Sequence, residues 1–281
     1  MTSAASGLTA AAARNEQYSG MSQVQLLSKL SSTDVGDLVS KLQTIAATLL
    51  NKKRMECALH STNNLILDKT ESFLSKLPGE FSEQSWLTSP NDFQAKKRRQ
   101  HYVSPFPINF TSQSISTVNY THADYPALRV TAALMGTKFL HPEIREKGGA
   151  YGGGASASDG VFTFYSYRDP KNLETFTVYS KAVDWAIEDN FDQADINEAI
   201  LRIFQSVDAP VTPSSRGTRE FLSGVSDQAF AEHRIALKNV GVQDVKRVVE
   251  KYLMDPPLHG MTMIGGLHPG LEDLGWEVHN S

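Results

Sequence analysis

The stretch whose reading decides the fold is HPEIREKGGAYGGGAS, residues 141–156. It gathers a proline, two acids, two bases, five glycines and one tyrosine. Upstream, Asp124 is placed to cap a helix with Pro126 in its first turn. Leu128, Ala132, Met135 and Phe139, with Leu140 beside them, give that helix an apolar stripe. Downstream, GVFTFYSYRD alternates, with Val161, Thr163, Tyr165 and Tyr167 on one face and Phe162, Phe164, Ser166 and Arg168 on the other. The order is helix, glycines, strand. A phosphate-binding loop needs strand, glycines, helix, because the helix N-terminus holds the anion. No lysine follows these glycines, and the dinucleotide pattern Gly-x-Gly-x-x-Gly is unmet. Gly148 and Gly149 read as a helix stop supplying positive φ. Gly152, Gly153 and Gly154 read as a flat strand that another backbone can approach. This accounts for the glycines and leaves the flanking Arg145 and Tyr151 unexplained.

Working outward, helices are expected over residues 172–188, 193–207 (with Asp192 as cap), 214–237 with a break near Gly224, and 242–253. Strand sequence lies at 108–110 and 114–120, and a returning strand at 260–266. A strand, a helix, two strands, several helices and a last strand make an α+β layer fold, with helices on one face of a sheet. Before it, helical spacing over residues 23–50, a short strand-like MECALH and a helix ending at Pro78-Gly79 form a first unit over 21–80. Residues 81–104 lose periodicity and read as a linker, with Lys96 to Arg99 as a solvated charge run. Residues 105–270 form the second unit and 271–281 a tail. The opening residues 1–20 are rich in small residues, lack a cleavable apolar region, and are expected as a disordered leader or linker.

Composition narrows the function classes. Of 281 residues, 40% are hydrophobic and 21% charged, with a net charge of −4 that gives no pull toward nucleic acid or anionic membrane. No apolar run approaches the roughly 20 residues of a membrane span. The one cysteine, Cys57, excludes an internal disulfide or a multi-cysteine cluster and is expected in the core. None of the eight histidines lies three or four residues from another, so no helical pair of metal ligands exists. Glu232-His233 reads as a surface pair, and no Gly-x-Ser-x-Gly elbow occurs.

REKGGAYGGG, preceded by FLHPEI and followed by FTFYSYRDP and VDAPVTPSSRG, resembles the C-terminal part of the presequence-protease branch of the pitrilysin–insulysin clan of zinc metallopeptidases. The resemblance is strongest over 104–266 and extends to about 20–78. It implies a pitrilysin-type α+β repeat, with an antiparallel or mixed sheet and helices on one face. By that comparison, 21–80 is the end of the third of four repeats and 105–270 the fourth. Zinc in this clan is bound by His-x-x-Glu-His in the first repeat, which this chain lacks. It therefore implies no metal site here, zinc in an N-terminal partner half, unfolded peptide substrates, and a mitochondrial matrix location for which this chain shows no targeting signal. The chain alone is expected to be inactive. In the clan, an arginine and a tyrosine of the C-terminal half reach across a closed chamber to the substrate, and the matching positions are Arg145 and Tyr151. Gly152, Gly153, Gly154 and Arg168 are expected to help bind substrate. The alternative is a non-catalytic scaffold or core subunit of the same fold in a larger complex.

Overall fold

The structure, a computed structural model, describes residues 1–30, 34–50, 52, 55–79, 93–188 and 190–280. It divides into two compact units. The larger comprises Met1–Gln25, Asp92–Ala209 and Ala231–Ser281; the smaller comprises Leu26–Asn91 and Pro210–Phe230.

The larger unit is built on six strands: β1 (Arg98–Val103), β2 (Asn109–Ser116), β3 (Gly152–Ser158), β4 (Val161–Asp169), β5 (His259–Gly265) and β6 (Glu277–His279). Their order is β3-β4-β2-β5-β1-β6, so β3 ends the sheet on one side. β1 runs parallel to β5 and β6, whereas β2, β3, β4 and β5 pair antiparallel. β3 and β4 are joined by Asp159-Gly160, both at positive φ (51° and 77°), the tight hairpin turn that matches the twist of paired strands.

The alternation read in β4 decides which side is core. Phe162 and Phe164 are fully buried, and Phe164 stacks on Tyr179 at 5.4 Å. Tyr179 belongs to α7 (Leu173–Ile187), and its hydroxyl bonds Thr111 Oγ1 at 2.7 Å. On this face lie α6 (Tyr125–Met135) and α7, with α8 (Gln193–Val207) packed on α6 and α11 (Val242–Tyr252) on both. Burying side chains of this size supplies about 1.5–3 kcal/mol each, which fixes the register of the whole face.

The opposite face is met by the chain's opening. Residues 1–20, expected as a disordered leader or linker, contain α1 (Thr2–Ala5) and α2 (Ala10–Ser19), with Ala4 and Leu8 buried. Small side chains let α1 lie almost on the strands. A Cβ on Gly260 would stand only 2.0 Å from the Ala4 carbonyl.

Further expectations are corrected, among them the tail over 271–281, which carries β6 paired with β1. β1 arises inside the stretch read as a linker, beginning at Arg98. Its buried residues are the polar Gln100 and His101 with Tyr102, which hid the strand pattern. His101 is held by backbone carbonyls instead, those of Met263 (3.3 Å) and Gly266 (3.1 Å). MECALH, in the smaller unit, forms no strand, and Cys57 is exposed. Local strand propensity needs a sheet to join. Asp124 makes no capping bond; its buried carboxylate accepts from Lys251 Nζ (2.8 Å), Tyr252 Oη (2.7 Å) and Arg247 on α11.

The smaller unit holds α4 (Val35–Leu49), α5 (Asn64–Ser75) and α9 (Thr218–Ser223), with α3 (Met21–Leu30) and α10 (Asp227–Lys238) running into it. Asn63 caps α5 through its side chain, accepting from Leu65 N at 2.9 Å. The expected break near Gly224 separates α9 from α10, with Gly224 at φ 69°.

Candidate substrate-contact site

The site grows out of the end of α6. The helix continues through Gly136–Lys147 as wider turns bonded i to i+5, with Pro142 inside them. A proline removes one backbone donor, and such wide turns accommodate the gap. Two glycines then stop the helix for different reasons. A Cβ on Gly148 would lie 2.4 Å from the Ile144 carbonyl, so only glycine fits. Gly149 alone has positive φ (82°), where both had been expected to. The Gly149 N–H donates to Arg145 O (3.0 Å) and that of Ala150 to Ile144 O (3.1 Å), closing the helix end.

Tyr151 follows immediately and enters β3. Its backbone N–H donates to the Arg168 carbonyl at 3.2 Å. Tyr151 is 58% exposed, and two guanidinium groups approach its ring. Arg145 lies 5.7 Å from the ring centre and Arg168 5.4 Å, both within range of a cation–π contact. Tyr167 meets the same ring at 5.7 Å and lies 6.5 Å from Tyr165, stacked with it. Arg168 sits at φ 49°, a left-handed backbone that non-glycine residues rarely adopt and that concentrates at functional sites.

The acids around these arginines are committed elsewhere. Glu143 pairs with Lys147, and Glu146 with His141 at 3.5 Å. Asp169, next to Arg168 in sequence, turns inward to Thr175 Oγ1 (2.8 Å) and the Lys171 N–H (2.9 Å). Among the described residues, Arg145 and Arg168 have no carboxylate partner. The result is one exposed phenol donor held between two unneutralised guanidiniums, an arrangement suited to carbonyl oxygens or to an oxygen gaining negative charge.

At the glycines of β3 both faces of the strand are occupied. A Cβ on Gly152 would fall 2.5 Å from the Tyr167 hydroxyl, and one on Gly154 3.1 Å from that of Tyr165. On the other face, a Cβ on Gly153 would stand 2.9 Å from Ile144 Cγ2. The room above and below the strand is filled by tyrosine rings and an isoleucine, which leaves the outer edge as the approach for a ligand.

One residue the sequence had placed at the surface belongs to the interior. His233 is buried, with Tyr120 at 4.5 Å and Tyr125 at 5.4 Å, and its Nε2 meets Arg129 Nη1 at 3.0 Å. Burial, then the neighbouring Arg129 charge, holds its pKa down to about 4, so Nε2 is an acceptor near neutral pH. Among the described residues no group of three or more His, Cys, Asp or Glu is placed to hold a metal ion, and no helix is long and apolar enough to cross a membrane.

With this geometry in view, comparison with known proteins is decisive. A model of the PreP C-terminal domain matches residues 99–251. The chain belongs to this PreP C-terminal domain family. It is 37% identical to the mitochondrial presequence protease of Danio rerio, an alignment covering 99% of the chain and 30% of that protein. The PreP C-terminal chain thus spans about three tenths of the length of the curated relatives it matches. Its fold is also that of a peptidase M16 inactive domain from Pseudomonas fluorescens, with a TM-score of 0.55 at 14% identity over 73% of this chain and 52% of that one. A chain of Complex III2 from Candida albicans is similar too, with a TM-score of 0.52 and 14% identity over 70% of this chain and 52% of the other. The last two comparisons concern fold alone.

Proposed function

We propose that this PreP C-terminal domain chain is the non-zinc-binding half of a peptide-degrading metalloendopeptidase of the presequence protease type. In this reading it works in the mitochondrion, in the matrix, on unfolded peptides such as cleaved targeting presequences. Its partner is an N-terminal half that holds the zinc, in keeping with a chain that spans about three tenths of its curated relatives' length. This half closes the chamber and contributes Arg145 and Tyr151. Their guanidinium and phenol donors would contact the peptide carbonyls, the phenol serving the oxygen that gains negative charge as the scissile bond is attacked. Arg168 supports the same contact, and Gly152 to Gly154 bring the strand edge alongside the peptide.

The observation that carries this reading is the exposed Tyr151 ring between two guanidiniums that have no carboxylate partner among the described residues. The alternative, a non-catalytic scaffold or core subunit, shares the fold, as the Complex III2 chain illustrates. A scaffold has no use for an exposed phenol and two unpaired cations at the end of a glycine strand. The test is reconstitution. The chain and the zinc-bearing half of a presequence protease, each silent alone, are expected to cleave an unstructured peptide when mixed. Cleavage unchanged by adding this chain would refute the reading.

A further inference from the structure

A second feature lies beyond the Tyr151 cluster, along the outer edge of β3. There a cleft of about 550 Å³ runs between the strand and the helices beside it. Its floor is made of small residues: Gly153 to Ala157 on the strand, and Ala132, Ala133 and Gly136 on the helix. Arg129, His141, Tyr165 and Arg202 are its charged or titratable lining groups, and no carboxylate lines it among the described residues.

The strand's backbone is oriented for pairing. In an antiparallel ladder each residue sends its N–H and C=O to the same side, and successive residues alternate. The Ala157 carbonyl accepts from the Tyr125 hydroxyl at 3.2 Å, a partner on α6 rather than β4, so Ala157 points outward. Gly153 and Ala155 share its parity and present their N–H and C=O groups to the cleft. An unpaired edge with these groups exposed accepts an added strand, and the backbone bonds carry no demand on sequence.

Two arginines supply the cleft's charge. Tyr125 closes the ladder at Ala157, and Arg129 follows it by about one turn of α6. Arg129 is half-buried and held from behind by His233. Arg202 comes from α8, and the acid one turn before it, Glu198, is taken by Lys138 at 2.7 Å. Two guanidiniums without a carboxylate partner among the described residues therefore line the cleft, Arg129 beside the Ala157 end where an added strand must stop. A strand that stops presents its terminal carboxylate.

We infer that this cleft binds an extended peptide as a strand added to β3, running parallel to it, with the peptide's C-terminal carboxylate taken by Arg129 and Arg202. The inference rests on the proposed function only for the class of ligand, and it needs neither zinc nor Tyr151.

The experiment therefore measures binding to this chain alone. The probe is a fluorescein-labelled Ala-Thr-Val-Thr-Ala-Val peptide, prepared as the free acid and as the C-terminal amide. Fluorescence anisotropy should show the acid binding at least about tenfold more tightly, the scale of losing a hydrogen bond to a charged group. Arg202→Glu should remove that preference and leave the amide's affinity unchanged. Gly136→Leu, which fills the cleft without altering charge, should weaken both forms. Hydrogen exchange should slow at Gly153 and Ala155 when the acid binds. Equal affinity of acid and amide, protection confined to other segments, or no binding at all would overturn the inference. Acid-selective binding alongside failed reconstitution would leave the cleft standing and remove the protease reading.

Discussion

At the scale of single residues, His233 shows how burial changes what a side chain does. Its sequence neighbours suggest a surface pair, yet Glu232 is exposed while His233 points into an aromatic nest beside Arg129. The folded pKa of about 4 lies below the ordinary imidazole value of 6.5. Between those values the unfolded chain binds more protons, so stability rises with pH from about 4 to 6.5 and is complete above it. His101 and His259 are shifted the same way, first by burial, and add to this slope. His233→Gln keeps an acceptor for Arg129 but does not titrate. Melting temperatures recorded from pH 4 to 7 should vary less in this variant than in the wild type; an unaltered pH profile would exclude the buried neutral imidazole as a source of the slope. Arg145 and Tyr151 are a contrasting case. A motif pointed to them, whereas Tyr165, Tyr167, Arg129 and Arg202 carried no local signal, because only the sheet and the α6–α8 packing bring them to the strand.

At the scale of elements, most of the fold was legible where periodicity and punctuation agreed. β4 alternates cleanly, and α7 and α8 fall within a residue of their expected ends because Asn172 and Asp192 cap them. β1 was illegible because its buried positions are polar and its parallel partners are remote in sequence. The wide turns after α6 were equally hidden, since their two buried residues, Leu140 and Ile144, stand four apart as in an ordinary helix. Asp124 had its role misassigned for a related reason: a cap is a local inference, while its real partners lie on α11, over 120 residues away. Burial opposes ionisation of this carboxylate, but Lys251, Tyr252 and Arg247 outweigh it and hold its pKa well below the usual carboxylate range. Its contribution is therefore present above the unfolded pKa near 4 and fades as the pH falls below it. Asp124→Asn should destabilise the chain by about 1–3 kcal/mol at neutral pH, measured by urea unfolding, with the difference shrinking toward pH 2. A difference that grew in acid would contradict the ion-pair account of how α6 is tied to α11.

At the scale of the whole molecule, the smaller unit presents apolar side chains to solvent. On α4, Val35, Leu42 and Leu49 recur every seven residues and are at least 60% exposed, while α5 adds Leu65 and Phe73. Exposed apolar surface of this extent marks an interface. Sedimentation of the chain should show mass rising with concentration, and Leu42→Lys with Leu49→Lys should suppress that rise; a concentration-independent monomer would argue against an interface there. The central claim, that this half lends a donor to chemistry performed on its partner, is tested most directly by turnover. In the reconstituted two-half enzyme, Tyr151→Phe removes a single hydroxyl from an exposed ring and leaves the fold alone. The account predicts that kcat falls about 10²- to 10³-fold while KM stays near the wild-type value. An unchanged kcat would contradict it.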